Sequence, residues 1–223
     1  MRRASIEERV RKTLDGMPDH VRLVAAAKTR SADEIGQALR SGVSIVGMNY
    51  VQETSSAIDA IGRSVAQWHM IGHLQRNKVR EAMRLFDMIQ TVDSLRLARK
   101  IDAEATALGL VMPVLIEINC ASEPQKSGLL PEETLAFLRE ASTLSGLRIQ
   151  GLMTMGPLVD DPESIRPHFR LTKSLFDDVS AADIAGIEMR ELSMGMSDSY
   201  PVAIEEGATM VRLGTTLFGP RTP

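Results

Sequence analysis

Residues 21–47 read VRLVAAAKTRSADEIGQALRSGVSIVG, with the punctuation of a strand, a helix and a second strand. The apolar run 21–27 stops at Lys28, and 44–47 is another short β-prone run. Between them Ser31 stands before 32-ADEIGQALR with Glu34 three positions on, as in a capping box. Gly42 follows, where a helix C-terminus favours glycine. Strands joined by such a crossover pair in parallel. The same rhythm runs through the chain. Strands are expected at 21–27, 44–47, 67–71, 86–90, 112–119, 147–153, 189–192 and 209–213. Helices are expected at 31–41, 50–62, 75–83, 94–107, 131–142, 162–180 and 198–206, with an additional one near 4–15 before the first strand. Pro131 opens PEETLAFLREA, and Asp198 and Ser199 precede Pro201, both fitting helix starts. Eight strand–helix units predict an α/β fold: a single (β/α)8 TIM barrel with an extra N-terminal helix. An open doubly wound sheet is the rival, because apolar runs do not report closure. With no linker, low-complexity tract or repeat beyond this rhythm, residues 1–223 are expected to form a single domain.

Of 223 residues, 43% are hydrophobic and 25% charged, which excludes a disordered chain. Twenty-six basic against 29 acidic residues leave a net charge of −3. Nucleic-acid binding needs clustered cations. The densest run here, Arg2, Arg3, Arg9, Arg11 and Lys12, is diluted by Glu7, Glu8 and Asp15. Ile6, Val10 and Leu14 recur through it every four residues, marking an amphipathic helix rather than a transit peptide. No apolar run is long enough to span a bilayer, and no signal-peptide core follows Met1. The one cysteine, Cys120, makes neither an intramolecular disulfide nor a Cys-rich metal framework. A cytoplasmic protein with no nucleic-acid or membrane partner is expected.

In VRLVAAAKTR, Val24, Ala26 and Lys28 share one strand face. If that face lines the barrel, Lys28 projects inward at the carboxyl end, where barrels place their chemistry. A lysine in partly apolar surroundings has a lowered pKa, and its neutral amine forms an imine with an aldehyde. The alternative is a lysine ending a strand in solvent. Two further segments bear on the choice. In 192-LSMGMSDSY, Ser193, Gly195 and Ser197 lead toward a helix, and in 209-TMVRLGTTLFG, Gly214, Thr215 and Thr216 follow a strand. Backbone N–H groups at helix starts, with hydroxyls, bind phosphate. These are the seventh and eighth strands, after which barrels frequently hold phosphate. The eighth neighbours the first on closure, so a phosphorylated aldehyde suits the arrangement. Arg212, in phase with Met210 and Gly214, needs an acceptor: a cofactor ring nitrogen or a structural carboxylate.

These segments resemble the pyridoxal phosphate homeostasis protein family, whose members are similar to the barrel domain of alanine racemase but stand alone. The matches are KTR at Lys28, 49-NYVQE, 68-WHMIGHLQRNK, 125-QKSG, 151-GLMTMGP, 192-LSMGMS and 211-VRLGTTLFG, almost from end to end. The resemblance implies that Lys28 carries pyridoxal 5′-phosphate as an internal aldimine. It implies that Ser193, Gly195, Ser197, Gly214 and Thr215 surround the phosphate, with Arg212 by the pyridine nitrogen and Asn49 near the cofactor. It further implies binding, storage or delivery of the cofactor in its intracellular homeostasis, without an established catalytic reaction and with no catalytic residue. Two departures stand out. Gly47-Met48-Asn49 replaces the family's Gly-Glu-Asn, which removes a carboxylate expected near the site. Arg30 replaces a second lysine after KT and cannot form an imine. Lys126 in QKSG and Lys78 in QRNK are open between cofactor exchange and ordinary solvated loops.

His69 and His73 are four apart, half a zinc site on a helix, but Gly72 and the β-like WHMI run argue for packing or outer hydrogen bonding, and no metal is expected. There is no P-loop and no G-x-G-x-x-G. Asp160–Asp161, Asp177–Asp178 and Glu205–Glu206 read as solvated surface, and Cys120 as buried after the fifth strand. Three alternatives to a carrier remain. Racemisation needs an acid–base group on each face of the substrate carbon. Tyr50 and Tyr200 are the only tyrosines, neither matches the racemase position, and with Pro223 last no added β domain is expected. A class I aldolase-like barrel would use Lys28 on a sugar phosphate. A binding module would dock apo-forms of pyridoxal-phosphate enzymes, with transfer by contact or diffusion equally open. A solo barrel is compatible with a monomer.

Overall fold

The computed structural model describes residues 4–157 and 159–220, so Arg2 and Arg3 of the basic run lie outside the described residues. Eight strands are seen among them: β1 (Arg22–Ala26), β2 (Ile45–Met48), β3 (Gln67–Met70), β4 (Met88–Val92), β5 (Met112–Glu117), β6 (Leu147–Met153), β7 (Ile187–Ser193) and β8 (Met210–Leu213). They pair in parallel in chain order, and β8 returns to β1 with Val24 opposite Arg212 and Ala25 opposite Leu213. That last pairing closes the barrel and excludes the open sheet.

The helices are α1 (Ile6–Asp15), α2 (Ala32–Arg40), α3 (Val51–Ile61), α4 (Val79–Leu85), α5 (Leu95–Ala107), α6 (Thr134–Ala141), α7 (Arg166–Ala181), α8 (Tyr200–Glu205) and α9 (Thr215–Phe218). Ser31 and Glu34 form the expected capping box on α2, and Ser5 and Glu8 form another on α1. Each box satisfies backbone N–H groups that have no partner within the helix. α1 is tied to the barrel's last helix by Arg9 Nε, which donates to the Leu217 carbonyl at 2.7 Å.

Several boundaries shift by up to four residues, as at α4, expected from 75 and starting at Val79, and β7, expected from 189 and starting at Ile187, and two further elements differ. β4 starts two residues later than 86–90, because Phe86 ends α4 and Asp87 is spent holding its neighbours. The Asp87 carboxylate accepts from the Trp68 amide at 2.8 Å and from both terminal nitrogens of Arg63 at 2.8 and 3.0 Å. The four-residue α9 is too short to show a helical period and was not expected.

Strand alternation divides the core. Leu23 and Ala25 of β1 join the large apolar layer between sheet and helices, with Trp68, Ile89 and Phe169. Val24 faces inward with Ile45, Ile71 and Met210, and Ala26 packs against them. Met88, Leu115 and Met153 make a second inner cluster. Met48 belongs to the outer layer. The residue that departs from the family's acidic pattern therefore packs under the helices and removes nothing from the barrel mouth.

Candidate functional site

Lys28 follows β1 at the carboxyl end of the barrel, half-buried, one turn residue beyond Ala27. Ala27 is still held to the sheet by its N–H donating to the Gly47 carbonyl at 2.9 Å. Thr29 then turns the chain in a left-handed conformation, φ +63°. The Lys28 Nζ lies 5.3 Å from the centroid of the Tyr50 ring, over its face, where the ring's negative π surface attracts a cation. Tyr50 follows Asn49 at the end of β2 and is itself exposed. Asn49 sits where Gly72 approaches it: a Cβ on Gly72 would lie 2.5 Å from the Asn49 carbonyl oxygen.

The loops after β7 and β8 meet at the end of the barrel where β1 runs out, with Gly214 alongside Ala26: a Cβ on Gly214 would lie 3.3 Å from the Ala26 carbonyl oxygen. Ser197 Oγ accepts from the backbone N–H groups of Gly214 and Thr216, both at 3.2 Å. Two backbone donors from the start of α9 thus converge on one hydroxyl oxygen, a donor set suited to a phosphate oxygen. Gly195 has φ +92°, and a Cβ there would meet the Ala203 Cβ at 2.5 Å. Its carbonyl accepts from the Arg212 N–H at 3.0 Å, which ties the β7 loop to β8. Thr215 is exposed at the first position of α9. Ser193, read with this cradle from the sequence, lies one layer lower. It is fully buried in β7, and its hydroxyl is engaged by Gln90 and Arg212.

Arg212 is buried in the barrel, with Nη1 donating to Ser193 Oγ at 2.6 Å and Nη2 to the Thr154 carbonyl at 2.8 Å. Of the two acceptors open at the sequence level, neither bond is to a carboxylate. Burial pulls its pKa down to about 10, with Glu117 opposing, so the guanidinium stays charged at neutral pH.

Across the mouth lies a cavity of about 220 Å³ lined by Asn49, Glu117, Asn119, Lys126 and Thr154 among others. Glu117 ends β5, and sequence reading passed over it as the tail of an apolar strand. Burial pushes its pKa up to about 7, the Asp93 charge adds to the rise, and Arg212 opposes it. Lys126 donates to Glu123 Oε1 at 2.7 Å and to the Gly156 carbonyl at 3.0 Å. Lys78, in the turn that leads into α4, pairs with Glu81 at 3.2 Å. Arg30 is spent on Glu34, the Gly219 carbonyl and the Phe218 ring.

Of the remaining candidates, His73 and Cys120 border this cavity. His69 is buried on β3, and His73 is exposed near Asp93 at 3.5 Å. Among the described residues no group of three or more His, Cys, Asp or Glu is placed to hold a metal ion. Cys120 is buried, and burial raises its pKa. Glu205 and Glu206 are less independent than expected: both pair with Arg166, and the Glu206 side chain is 13% exposed. No described helix is long and apolar enough to cross a membrane.

Comparison with known proteins extends these observations. The family model for the alanine racemase N-terminal domain matches residues 2–222. A pyridoxal phosphate homeostasis protein of Aquifex aeolicus is 38% identical over 200 residues, covering 90% of this chain and 87% of its own. The structure of PipY from Synechococcus elongatus with PLP bound superimposes with a TM-score of 0.89 at 32% identity, covering 96% of this chain and all of the other. Alanine racemase of Clostridium difficile, 17% identical with a TM-score of 0.76, covers 97% of this chain and 55% of its own, and shares the fold alone. Closed barrel, end-to-end model match and identity sustained over nine-tenths of the sequence lead to one assignment: the chain belongs to the pyridoxal phosphate homeostasis protein family.

Proposed function

We propose that residues 1–223 act as a single pyridoxal-phosphate-binding unit in the cytoplasm, which binds, stores or delivers the cofactor and turns over no substrate. The observation that supports this reading is the closure of β8 on β1, which sets the strand leading to Lys28 alongside the strand leading to the loop where Gly214 and Thr216 N–H converge on Ser197. Pyridoxal phosphate, when bound, supplies an aldehyde that condenses with a lysine amine, and a pyridine ring that accepts electron density. In this reading Lys28 is the covalent anchor. Gly195, Ser197, Gly214 and Thr215 hold the phosphate from the β7 and β8 loops. Arg212 donates a hydrogen bond to the ring nitrogen and leaves it unprotonated, because a guanidinium keeps its proton at neutral pH and a cation beside the ring disfavours a second positive charge. Asn49 borders the ring from β2. Ser193 acts from below, through Arg212.

The open mouth favours a carrier, since solvent and cofactor exchange freely through it. Direct delivery to apo-enzymes and delivery by diffusion differ in one respect: contact makes the transfer rate depend on acceptor concentration. The test is near-visible absorbance of the purified protein after titration with pyridoxal phosphate, then borohydride reduction and peptide mass mapping. A yellow protein whose reduced adduct maps to Lys28, and a colourless Lys28→Ala variant, are expected. A protein that takes up no cofactor overturns the reading. Cα deuterium exchange accompanied by turnover of L- into D-alanine or the reverse, and lost in Lys28→Ala, overturns the carrier part and makes the chain a racemase.

A further inference from the structure

Four polar side chains occupy the barrel interior beneath the mouth, on four different strands. They are His69 on β3, Gln90 on β4, Ser193 on β7 and Arg212 on β8, exposed by 1%, 0%, 0% and 3%. We infer that His69, Gln90 and Ser193 form a one-way hydrogen-bond chain that orients the Arg212 guanidinium toward the mouth. All three are positioning residues, and the inference rests on the cofactor reading for what Arg212 then meets.

The direction follows from what each group can do. Arginine only donates. Its Nη1 lies 2.6 Å from Ser193 Oγ, so that oxygen accepts. The serine's single hydrogen is then directed at Gln90 Oε1, 2.8 Å away. With its oxygen turned to Ser193, the Gln90 amide must point its nitrogen at β3, where Nε2 is 2.9 Å from His69 Nδ1. His69 must therefore present a bare Nδ1 and carry its hydrogen on Nε2. Burial supports this by holding the His69 pKa down to about 3, so the ring is neutral at pH 7. Turning the Gln90 amide over would leave the serine hydrogen without its acceptor and set Oε1 against the Met210 sulfur, which now accepts from Nε2 at 3.1 Å. The second anchor, Nη2 to the Thr154 carbonyl at 2.8 Å, fixes the plane of the guanidinium. Among the described residues the guanidinium donates to no other group, which leaves its remaining N–H groups for a ligand in the mouth.

Stability alone does not account for the arrangement. A buried polar network gains little over apolar side chains of the same shape, and is costly if one member is lost. The neighbouring inner positions Val24, Ile45, Ile71 and Met210 are apolar, so the barrel is filled with aliphatics where no alignment is needed. A chain of fixed proton positions does what aliphatics cannot: it holds a cation at one angle.

The test has two arms. In cofactor-free parent protein with 15N-labelled histidine, NMR at pH 7 is expected to show His69 neutral, with hydrogen on Nε2 and none on Nδ1. A His69 that carries hydrogen on Nδ1, or is cationic, overturns the chain without any variant having to fold. In the second arm Gln90→Leu, far from any phosphate contact, is titrated with pyridoxal phosphate beside the parent. Loss of the bond that aligns Ser193 for the Arg212 cation predicts an affinity about tenfold weaker. The absorbance maximum of the bound cofactor is also expected to shift, because the ring nitrogen loses its fixed donor. A folded Gln90→Leu with unchanged affinity and spectrum overturns the positioning role alone. No uptake by the parent overturns the cofactor reading, and with it this role, while the His69 tautomer still decides whether the chain exists.

Discussion

Replacing Glu117 by Gln removes a pH dependence whose size follows from the burial of one carboxyl. Below about pH 4.5 Glu117 is protonated in the folded and the unfolded chain, and well above pH 7 it is ionised in both. Between these limits the unfolded chain has released the proton and the folded chain still holds it. Stability therefore falls as pH rises, by about 1.4 kcal/mol per pH unit. From the ordinary value of 4.5 to the folded value of about 7 the loss is about 3 kcal/mol. Glutamine keeps the shape and does not titrate. Urea unfolding of cofactor-free parent and Glu117→Gln, from pH 4.5 to 8, should show the difference in unfolding free energy moving by about 3 kcal/mol in favour of glutamine. With a slope of about 2 kcal/mol/M, the midpoint difference moves by about 1.5 M. His69 acts the opposite way. Its depressed pKa stabilises the fold above pH 6.5, and that stability is lost as pH falls toward 3. It is present in both proteins and cancels in the difference. A midpoint difference that stays constant across the range would refute the burial of a protonated carboxyl at the mouth.

The remaining predictions concern glycines that bring backbone together at the site. Gly195→Ala puts a methyl 2.5 Å from the Ala203 Cβ at φ +92°, and should cost about 2–4 kcal/mol in urea unfolding. An unchanged midpoint would contradict the geometry of the β7 loop. Gly72→Ala drives a methyl against the Asn49 backbone at 2.5 Å, and should weaken uptake of pyridoxal phosphate by about tenfold or more in spectral titration, the cost of a misplaced site group. Gly16→Ala, where the nearest atom would be 3.6 Å away, is the control and should leave uptake as it was.

Much of the fold was legible because it is local. The Ser31–Glu34 box, Gly42 and the alternation in VRLVAAAK depend on residues a few positions apart, and each stands where the sequence puts it. The site was legible to the extent that it follows strand ends: Lys28 after β1, Ser197 after β7 and Gly214 after β8. Ser193 and Glu117 were not, for one physical reason. Each stands at the last residue of a strand, where a shift of one position exchanges mouth, interior and outer layer. Met48 was misjudged the same way, since only its parity on β2 sends it under the helices.

The sequence by itself determined the order of strands and helices, the position of Lys28 just after the first strand and the family, because helix caps, strand alternation and motif spacing are properties of neighbouring residues. Only the tertiary structure decided that β8 closes on β1, that Ser197 faces Gly214 and Thr216, and that Arg212, Ser193, Gln90 and His69 share one buried line. These contacts join residues up to about 190 positions apart, such as Ala25 and Leu213. Their partners are chosen by barrel register and by the requirement that a buried donor find an acceptor, and no local pattern encodes either.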